Sequence, residues 1–289
     1  FYDSFIFDVS DKESAGKISG FSWGFGYLGG LVVLMIVAPL VRNGIAPDNI
    51  SNYQFSFVVA GLFFLIFALP MFFFVRQKKT DDGANVVKRD ASHVFRDILD
   101  IWKERRMHRN FFLLVLAFFF YNDALSTLFA FVAIFAQFTI GMTIAEITTL
   151  MFVVQLLAFP ASWFFGALSD ILGQKTIIMT TLTIVLVFSS MAAFVSSKTL
   201  FFIAICMASL GIGASQSCTR AMIRQMIPHE HGTKFFGFQS FLGKFSAFLG
   251  PLAFGFLSNS FQNQRIAFVS IAFFLIVGMI LLVMVKHES

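Results

Sequence analysis

The stretch GALSDILGQK, from Gly166 to Lys175, decides the fold because of where it lies. It joins two apolar runs, each about 20 residues long, which is the length a helix needs to cross a bilayer. Gly166 and Gly173 permit a tight turn and a close approach of helices. Asp170 can cap a helix start or pair with a cation, and Lys175 can anchor at the lipid headgroups. The simpler alternative is a generic short turn with a snorkelling lysine.

Apolar runs of this kind recur along the whole chain. Of its 289 residues, 57% are hydrophobic and only 13% are charged, about half the charged share of a typical soluble domain. Backbone groups in lipid must be satisfied within their own segment, so the runs are expected to be helices rather than strands. We predict an all-α membrane protein embedded in a lipid bilayer, with eight transmembrane helices at about 18–40, 54–75, 111–137, 144–168, 176–196, 199–222, 235–257 and 266–285.

The basic residues indicate the orientation. The segment from Arg76 to Arg109 separates the second and third spans and holds ten of the 21 lysines and arginines. By the positive-inside rule this side is cytoplasmic, so both ends of the chain are predicted to be cytoplasmic, in a bacterial inner (plasma) membrane. The net charge of +5 is then a topology signal, and no nucleic-acid partner is expected. Lysines on the same side are Lys12, Lys17, Lys175, Lys234 and Lys286, against Arg42, Lys198 and Arg265 on the other.

The same basic segment divides the chain into three parts. Residues 1–76 hold two spans and are interpreted as the end of an N-terminal helix bundle, residues 77–110 as a cytoplasmic linker, and residues 111–289 as a C-terminal six-helix bundle. Apolar residues at helical spacing in the linker, opposite basic ones, predict an amphipathic helix in the headgroup layer. A solvated charged linker is the alternative.

In this context the GALSDILGQK stretch resembles the loop signature of the major facilitator superfamily, G-x-L-x-D-x-x-G-x-K/R. The resemblance implies the major facilitator fold, with eight of an expected twelve transmembrane helices present and the chain starting near the end of the fourth. On that basis we expect these 289 residues alone not to transport. Three further stretches resemble the vacuolar amino-acid effluxer-like branch of the superfamily: Phe120–Thr127 (FYNDALST), Lys234–Phe238 (KFFGF) and Gly243–Pro251 (GKFSAFLGP).

The resemblance also implies a function. Secondary active transport by alternating access is expected, moving amino acids or similar small polar metabolites in an efflux-like, proton-coupled manner. The expected partners are therefore a small-molecule solute, protons and the bilayer. No enzyme activity, cofactor, metal or obligate protein partner is expected. The alternatives are a same-fold transporter of a sugar, peptide or drug, and a scaffold or receptor that does not transport.

Ionisable residues inside the spans are the candidate site, because each costs at least about 2.5 kcal/mol at the bilayer centre. Asp123, preceded by Asn122, and Lys244 each lie near the middle of a span. The family fold places their helices, the seventh and eleventh, around the central cavity. We predict that Asp123 and Lys244 pair across it, either as a substrate or proton-coupling pair or as a structural one.

A second set of polar residues recurs every fourth position on one helix. Gln216, Arg220 and Arg224 share one face there and could form a ladder that binds a carboxylate or a phosphate. Arg224 lies near the helix end and is expected to snorkel instead. For Arg220 both interpretations stay open.

Two patterns inside spans have structural rather than chemical interpretations. Gly24, Gly26 and Gly29 match the dinucleotide fingerprint G-x-G-x-x-G, but they lie within an apolar span and not in a βαβ unit. They are expected to give a flat face for close helix packing. Pro160 and Pro251 are expected to kink their spans.

Overall fold

The structure is a computed structural model that describes residues 2–41, 47–74 and 109–286. Every regular element in these ranges is helical. Eight stretches are long and apolar enough to span a membrane, judged by length and composition. The predicted all-α fold with eight spans is therefore confirmed. The helices are α1 (Ala15–Val41), α2 (Ile50–Phe74), α3 (Arg109–Phe138), α4 (Ile144–Leu172), α5 (Gln174–Phe194), α6 (Lys198–Met226), α7 (Gly232–Ser246), α8 (Leu249–Phe261) and α9 (Gln264–Met284).

The helix starts follow from local side chains. Thr143 and Glu146 form a reciprocal capping box at the start of α4. Ser197 accepts a hydrogen bond from the Leu200 N–H at the start of α6, and Asn263 caps α9. Because these caps stand directly before apolar runs, the predicted span limits agree with the observed ones to within a few residues.

The span predicted at 235–257 is broken into two helices, α7 and α8. Pro251 explains the position of the break: it lacks an N–H and its ring clashes with the carbonyl four residues earlier. That residue is Ala247, where α7 ends. Pro160, in contrast, lies inside α4, which continues unbroken from Ile144 to Leu172.

The first two spans attach to the rest of the chain in different ways. Helix α1 packs against α4 and α6, whereas α2 packs against α1. The outer face of α2 is apolar and exposed, with Phe57, Phe64 and Phe72 at 76%, 76% and 79% exposure, as expected for a face in lipid. Helices α3–α9 enclose a common core of apolar side chains.

Glycines bring α1 and α4 into backbone contact. A methyl group at Gly20 would overlap the Ser162 carbonyl, and one at Gly166 would overlap the Gly16 carbonyl. Of the fingerprint glycines only Gly24 contributes to this face, against Phe159; Gly26 and Gly29 do not meet α4. The contact is closest at the end where α1 begins and α4 and α6 end, which we call the basic end because it carries most of the lysines that the structure describes.

The predicted linker at 77–110 lies outside the described residues up to position 108, as does its amphipathic helix. The division into two bundles joined by this linker stays a prediction.

Candidate functional site

A polar cavity of about 260 Å³ lies where α1, α3, α6 and α7 meet. It brings together four of the five residues predicted from sequence as substrate or proton-coupling candidates. The fifth, Asp123, lies outside its lining. The cavity is lined by Asp3, Trp23, Phe118, Asn122, Gln216, Arg220, Gln239, Ser240, Gly243 and Lys244.

Arg220 is buried in the wall of this cavity and is held from the α1 side. Its Nη1 donates to Asp3 Oδ1 at 3.1 Å, its Nε to Ser19 Oγ at 2.9 Å, and its Nη2 to the Ser19 carbonyl at 3.1 Å. Arg220 is only 7% exposed. It needs such partners because a buried charge without a partner costs free energy. Arg220 therefore links α6 to α1 and to Asp3, which precedes α1 in the chain.

Asn122 and Gln216 form a chain of amide contacts that ends at the helix break. Gln216 Nε2 donates to Asn122 Oδ1 at 2.9 Å. Asn122 Nδ2 then donates to the Gly243 carbonyl and to Ser246 Oγ, both at 3.0 Å. Both acceptors belong to the last turn of α7, where the Gly243 carbonyl also accepts the Ala247 N–H at 3.4 Å and the Ser246 hydroxyl at 2.9 Å. The Asn122 amide thus adds a bond from α3 to the end of α7.

Asp123 accepts a hydrogen bond at the start of α8, the other side of the helix break. Its carboxylate is fully buried, and Oδ1 accepts the Gly250 N–H at 2.7 Å. A carboxylate at a helix N-terminus is favoured by the unsatisfied N–H groups and the helix dipole. The second oxygen, Oδ2, has no hydrogen-bond partner among the described residues.

The predicted Asp123–Lys244 pair is wrong. Within the described ranges neither side chain takes part in an ion pair, and Lys244 is exposed at the cavity. The reason is helical geometry. Gly243 and Gly250, seven residues apart, both face α3, whereas Lys244 points about 100° further round α7.

The loop motif holds the start of α1. Asp170 accepts the N–H groups of Gly16 and Lys17 at 2.7 and 2.8 Å, two of the N–H groups that a helix start leaves without a partner. It also accepts Gln174 Nε2 at 3.0 Å. Asp170, near the end of α4, thus caps the start of α1.

The two ends of the loop act differently from Asp170. Gly173 adopts a φ of 89° between α4 and α5, a conformation that favours glycine. Lys175 Nζ donates to the carbonyls of Val283 and Val285 at 2.8 and 2.6 Å. It therefore caps the C-terminus of α9, whereas the sequence predicted an anchor at the headgroups.

Arg224 also differs from its prediction. It does not snorkel: Nη2 donates to the Ser10 carbonyl at 3.2 Å, and the guanidinium lies 4.6 Å from the centre of the Phe7 ring. His229 Nε2 lies 3.3 Å from Asp8 Oδ1 beside it. The residues before α1 are thus docked on the end of α6 and the turn that follows it.

Several cavity residues were missed by the sequence analysis. Gln239 and Ser240 are polar residues inside an apolar span, the same signal that identified Gln216. Trp23 and Ser19 belong to a glycine-rich span interpreted only as a packing face. Asp3 precedes the first span and gave no signal, because its role depends on how residues 2–9 fold back on α6.

Comparison with solved structures defines the class of the protein. A single-site variant of the E. coli fucose:proton symporter FucP aligns with a TM-score of 0.67 at 16% identity, over 99% of this chain and 73% of that chain. The human organic anion transporter MFSD10 aligns with a TM-score of 0.72 at 13% identity, over 97% and 66%. At these identities the likeness concerns the fold alone, and it is the fold of major facilitator superfamily transporters.

Within that class, the chain belongs to the vacuole effluxer Atg22-like family, whose model matches residues 8–289. An MFS-type transporter of Bacillus subtilis, YxiO, is 26% identical over all of this chain and 68% of the relative. Autophagy-related protein 22 of Kluyveromyces lactis is 23% identical over 91% of this chain and 56% of the relative. The chain thus spans about two thirds or less of these curated relatives and is a multi-pass integral membrane protein of a transporter family.

Proposed function

We propose that the protein is a secondary transporter that moves amino acids or similar small polar metabolites by alternating access, as an efflux system coupled to protons. The observation that carries the proposal is the polar cavity at the junction of α1 with the six-helix bundle. A cavity lined by amides and charges, in a protein otherwise made of apolar spans, needs a function to offset its cost. Its volume of about 260 Å³ lies just below the usual range for ligand sites, about 300–1,000 Å³, which suits a small solute better than a drug.

The interface at the basic end supports the alternating-access part of the proposal. Asp170, Arg220 and Arg224 each bond to α1 or to the residues before it. A transporter that rocks one bundle against the other must be able to break and remake contacts at such a junction. We interpret the present arrangement as the state in which the cytoplasmic side is closed.

Asp123 is the proposed proton carrier. It is fully buried, follows the cavity residue Asn122 in the chain, and has one oxygen without a partner among the described residues. An intramembrane carboxyl in such a place is a proton-relay candidate by default.

A neutral sugar is the second candidate substrate. Three amide side chains and Trp23 line the cavity, and amides with an aromatic face are the groups that bind sugar hydroxyls and rings. This candidate would share the fold and the mechanism but not the substrate class.

Counterflow into proteoliposomes containing the full-length protein tests these proposals. Uptake of at least one labelled L-amino acid, saturable and stimulated by a proton gradient, is the expected result. Uptake of neutral sugars alone would replace the substrate class. If no solute is moved by protein that binds solutes normally in detergent, the protein is a receptor or scaffold and the transport proposal is wrong.

The orientation needs its own test. We propose a bacterial inner-membrane location with the basic end in the cytoplasm. A cysteine at Thr199 should react with a membrane-impermeant maleimide in intact cells, and one at Glu13 only after permeabilisation. The two native cysteines, Cys206 and Cys218, are buried and give little background. The opposite labelling pattern would reverse the orientation.

A further inference from the structure

The charges that line the polar cavity do not balance. Its charged residues are Asp3, Arg220 and Lys244. Arg220 is paired with Asp3 at 3.1 Å and donates twice to Ser19, so this pair is neutral and largely committed. Lys244 is exposed and has neither an ion-pair partner nor a hydrogen-bond acceptor among the described residues. The cavity therefore has one uncompensated positive charge, at Lys244.

The amides of the cavity are less available than they first appear. Asn122 uses both of its N–H donors on α7, and its oxygen accepts from Gln216. A solute acceptor could bind the Asn122 N–H groups only by breaking contacts that hold the end of α7, so Asn122 can offer a solute only the second lone pair of its oxygen. The charged group of this cavity that is free for polar recognition is therefore Lys244, with Gln239 and Ser240 on the same helix and the remaining amide groups of Gln216 across the cavity.

We infer that Lys244 is the carboxylate-binding, specificity-determining residue of this cavity, so that a free carboxylate on the solute is required for binding. The inference rests on the proposed transport function and deepens it. A lysine ammonium binds a carboxylate through charge-assisted hydrogen bonds, which are about twice as strong as neutral ones. The aromatic side chains of Trp23 and Phe118 then provide apolar surface for the remainder of the solute.

The backbone around Lys244 is fixed in a way that suits this role. Asn122 bonds to the Gly243 carbonyl directly before it and to Ser246 two residues after it. The lysine thus extends from a part of α7 whose position is set by α3. Only the flexible side chain has to adjust to the solute, so little ordering of the protein is required on binding.

The test compares matched solutes on matched variants of the full-length protein. The probes are the best-transported of the twenty L-amino acids, its carboxamide, and the corresponding carboxylic acid without the amine. Wild type, Lys244→Gln and Lys244→Arg are compared by direct binding in detergent and by counterflow. Lys234→Gln removes the same charge from the same helix outside the cavity and serves as the control.

We expect wild type to bind the amino acid and the des-amino acid but not the carboxamide. Lys244→Gln should lose roughly tenfold to a hundredfold in affinity for both carboxylates and no longer discriminate against the carboxamide. Lys244→Arg should retain the discrimination, and Lys234→Gln should behave as wild type. Since the Lys244 side chain has no described partner, Lys244→Gln is expected to fold normally.

Other outcomes separate the inference from the proposed function. If wild type transports a carboxylate and Lys244→Gln binds it equally well with the same discrimination, the inference is wrong and the transport function stands. If wild type transports only neutral solutes, or transports none, both the proposed substrate class and the role of Lys244 are overturned.

Discussion

Two polar clusters hold the helices of this chain together, and each joins a different set of helices. The break cluster joins α3 to α7 and α8, the two halves of the broken span; it consists of Asn122, Asp123, Gly243, Ser246 and Gly250. The interface cluster joins α1 to α4 and α6; it consists of Gly16, Lys17, Ser19, Asp170 and Arg220.

The clusters differ in what could replace their hydrogen bonds. The Gly250 N–H is buried and bonds to Asp123, so water cannot readily replace that carboxylate if it is lost. The Lys17 N–H, which bonds to Asp170, lies in an exposed contact at the start of α1, where water can take the place of the carboxylate. The Arg220–Ser19 bonds of the interface cluster are buried as well, so opening this cluster would require water to reach Arg220. Under the proposed alternating-access mechanism, we expect the break cluster to persist and the interface cluster to open and close.

The largest effect is expected from Asp123→Ala, which leaves the buried Gly250 N–H without an acceptor. The expected loss is about 1–3 kcal/mol of unfolding free energy, measured by chemical unfolding of the full-length protein in detergent. Lys244→Gln should cost little. Because the two residues do not meet, the double variant should equal the sum of the single ones within about 0.5 kcal/mol. If the double variant regained the stability lost in the single variants, Asp123 and Lys244 would form an ion pair after all.

A smaller loss is expected from Gly20→Ala, because the added methyl group forces α1 away from α4. Overpacking costs about 1–3 kcal/mol, from which the better helix propensity of alanine recovers up to about 1 kcal/mol. Gly26→Ala in the same helix is the matched control, since its methyl group would meet nothing within 4 Å in the described residues. Equal unfolding temperatures for the two variants would mean that α1 does not pack as described.

The smallest effect on stability, but a specific one on transport, is expected from Asp170→Asn. Asparagine keeps an acceptor at the start of α1 but loses the charge. Turnover should fall roughly two- to fivefold, while the dissociation constant for the transported solute changes less. Counterflow and direct binding on the same preparation separate the two quantities. If turnover is unchanged at normal protein levels, the loop only connects α4 to α5 and has no role in transport.

The spans and their limits could be predicted because hydrophobicity and helix caps are local properties. The loop motif could be placed for the same reason: Asp170 is close in sequence to the turn that positions it. Grouping Asn122, Gln216, Arg220 and Lys244 was also within reach, because polar residues in apolar spans turn toward one another to avoid lipid.

The rest depended on geometry between helices. Charge and depth alone suggested that Asp123 faces Lys244, but the direction of each side chain is set by the rotation of its helix. Pro251 indicated a kink, yet its consequence, a helix end that Asn122 and Asp123 satisfy, required knowing that α3 passes beside the break. Asp3 and Arg224 could not be placed because the fold of residues 2–9 depends on contacts with helices distant in sequence, α6 and α7 among them.

The central claim is that the interface cluster opens while the bundle around the break cluster stays fixed. Double electron–electron resonance, which measures the distance between two spin labels, tests this claim directly. One pair of labels, at Glu13 and Ile171, crosses the interface at the basic end. The other pair, at Ile171 and Met284, lies within helices α3–α9. All three sites are exposed. With saturating transported solute in the full-length protein, the first pair should gain a second, longer distance while the second pair keeps a single one. A single unchanged distance for the interface pair, or equal changes in both pairs, would contradict the account.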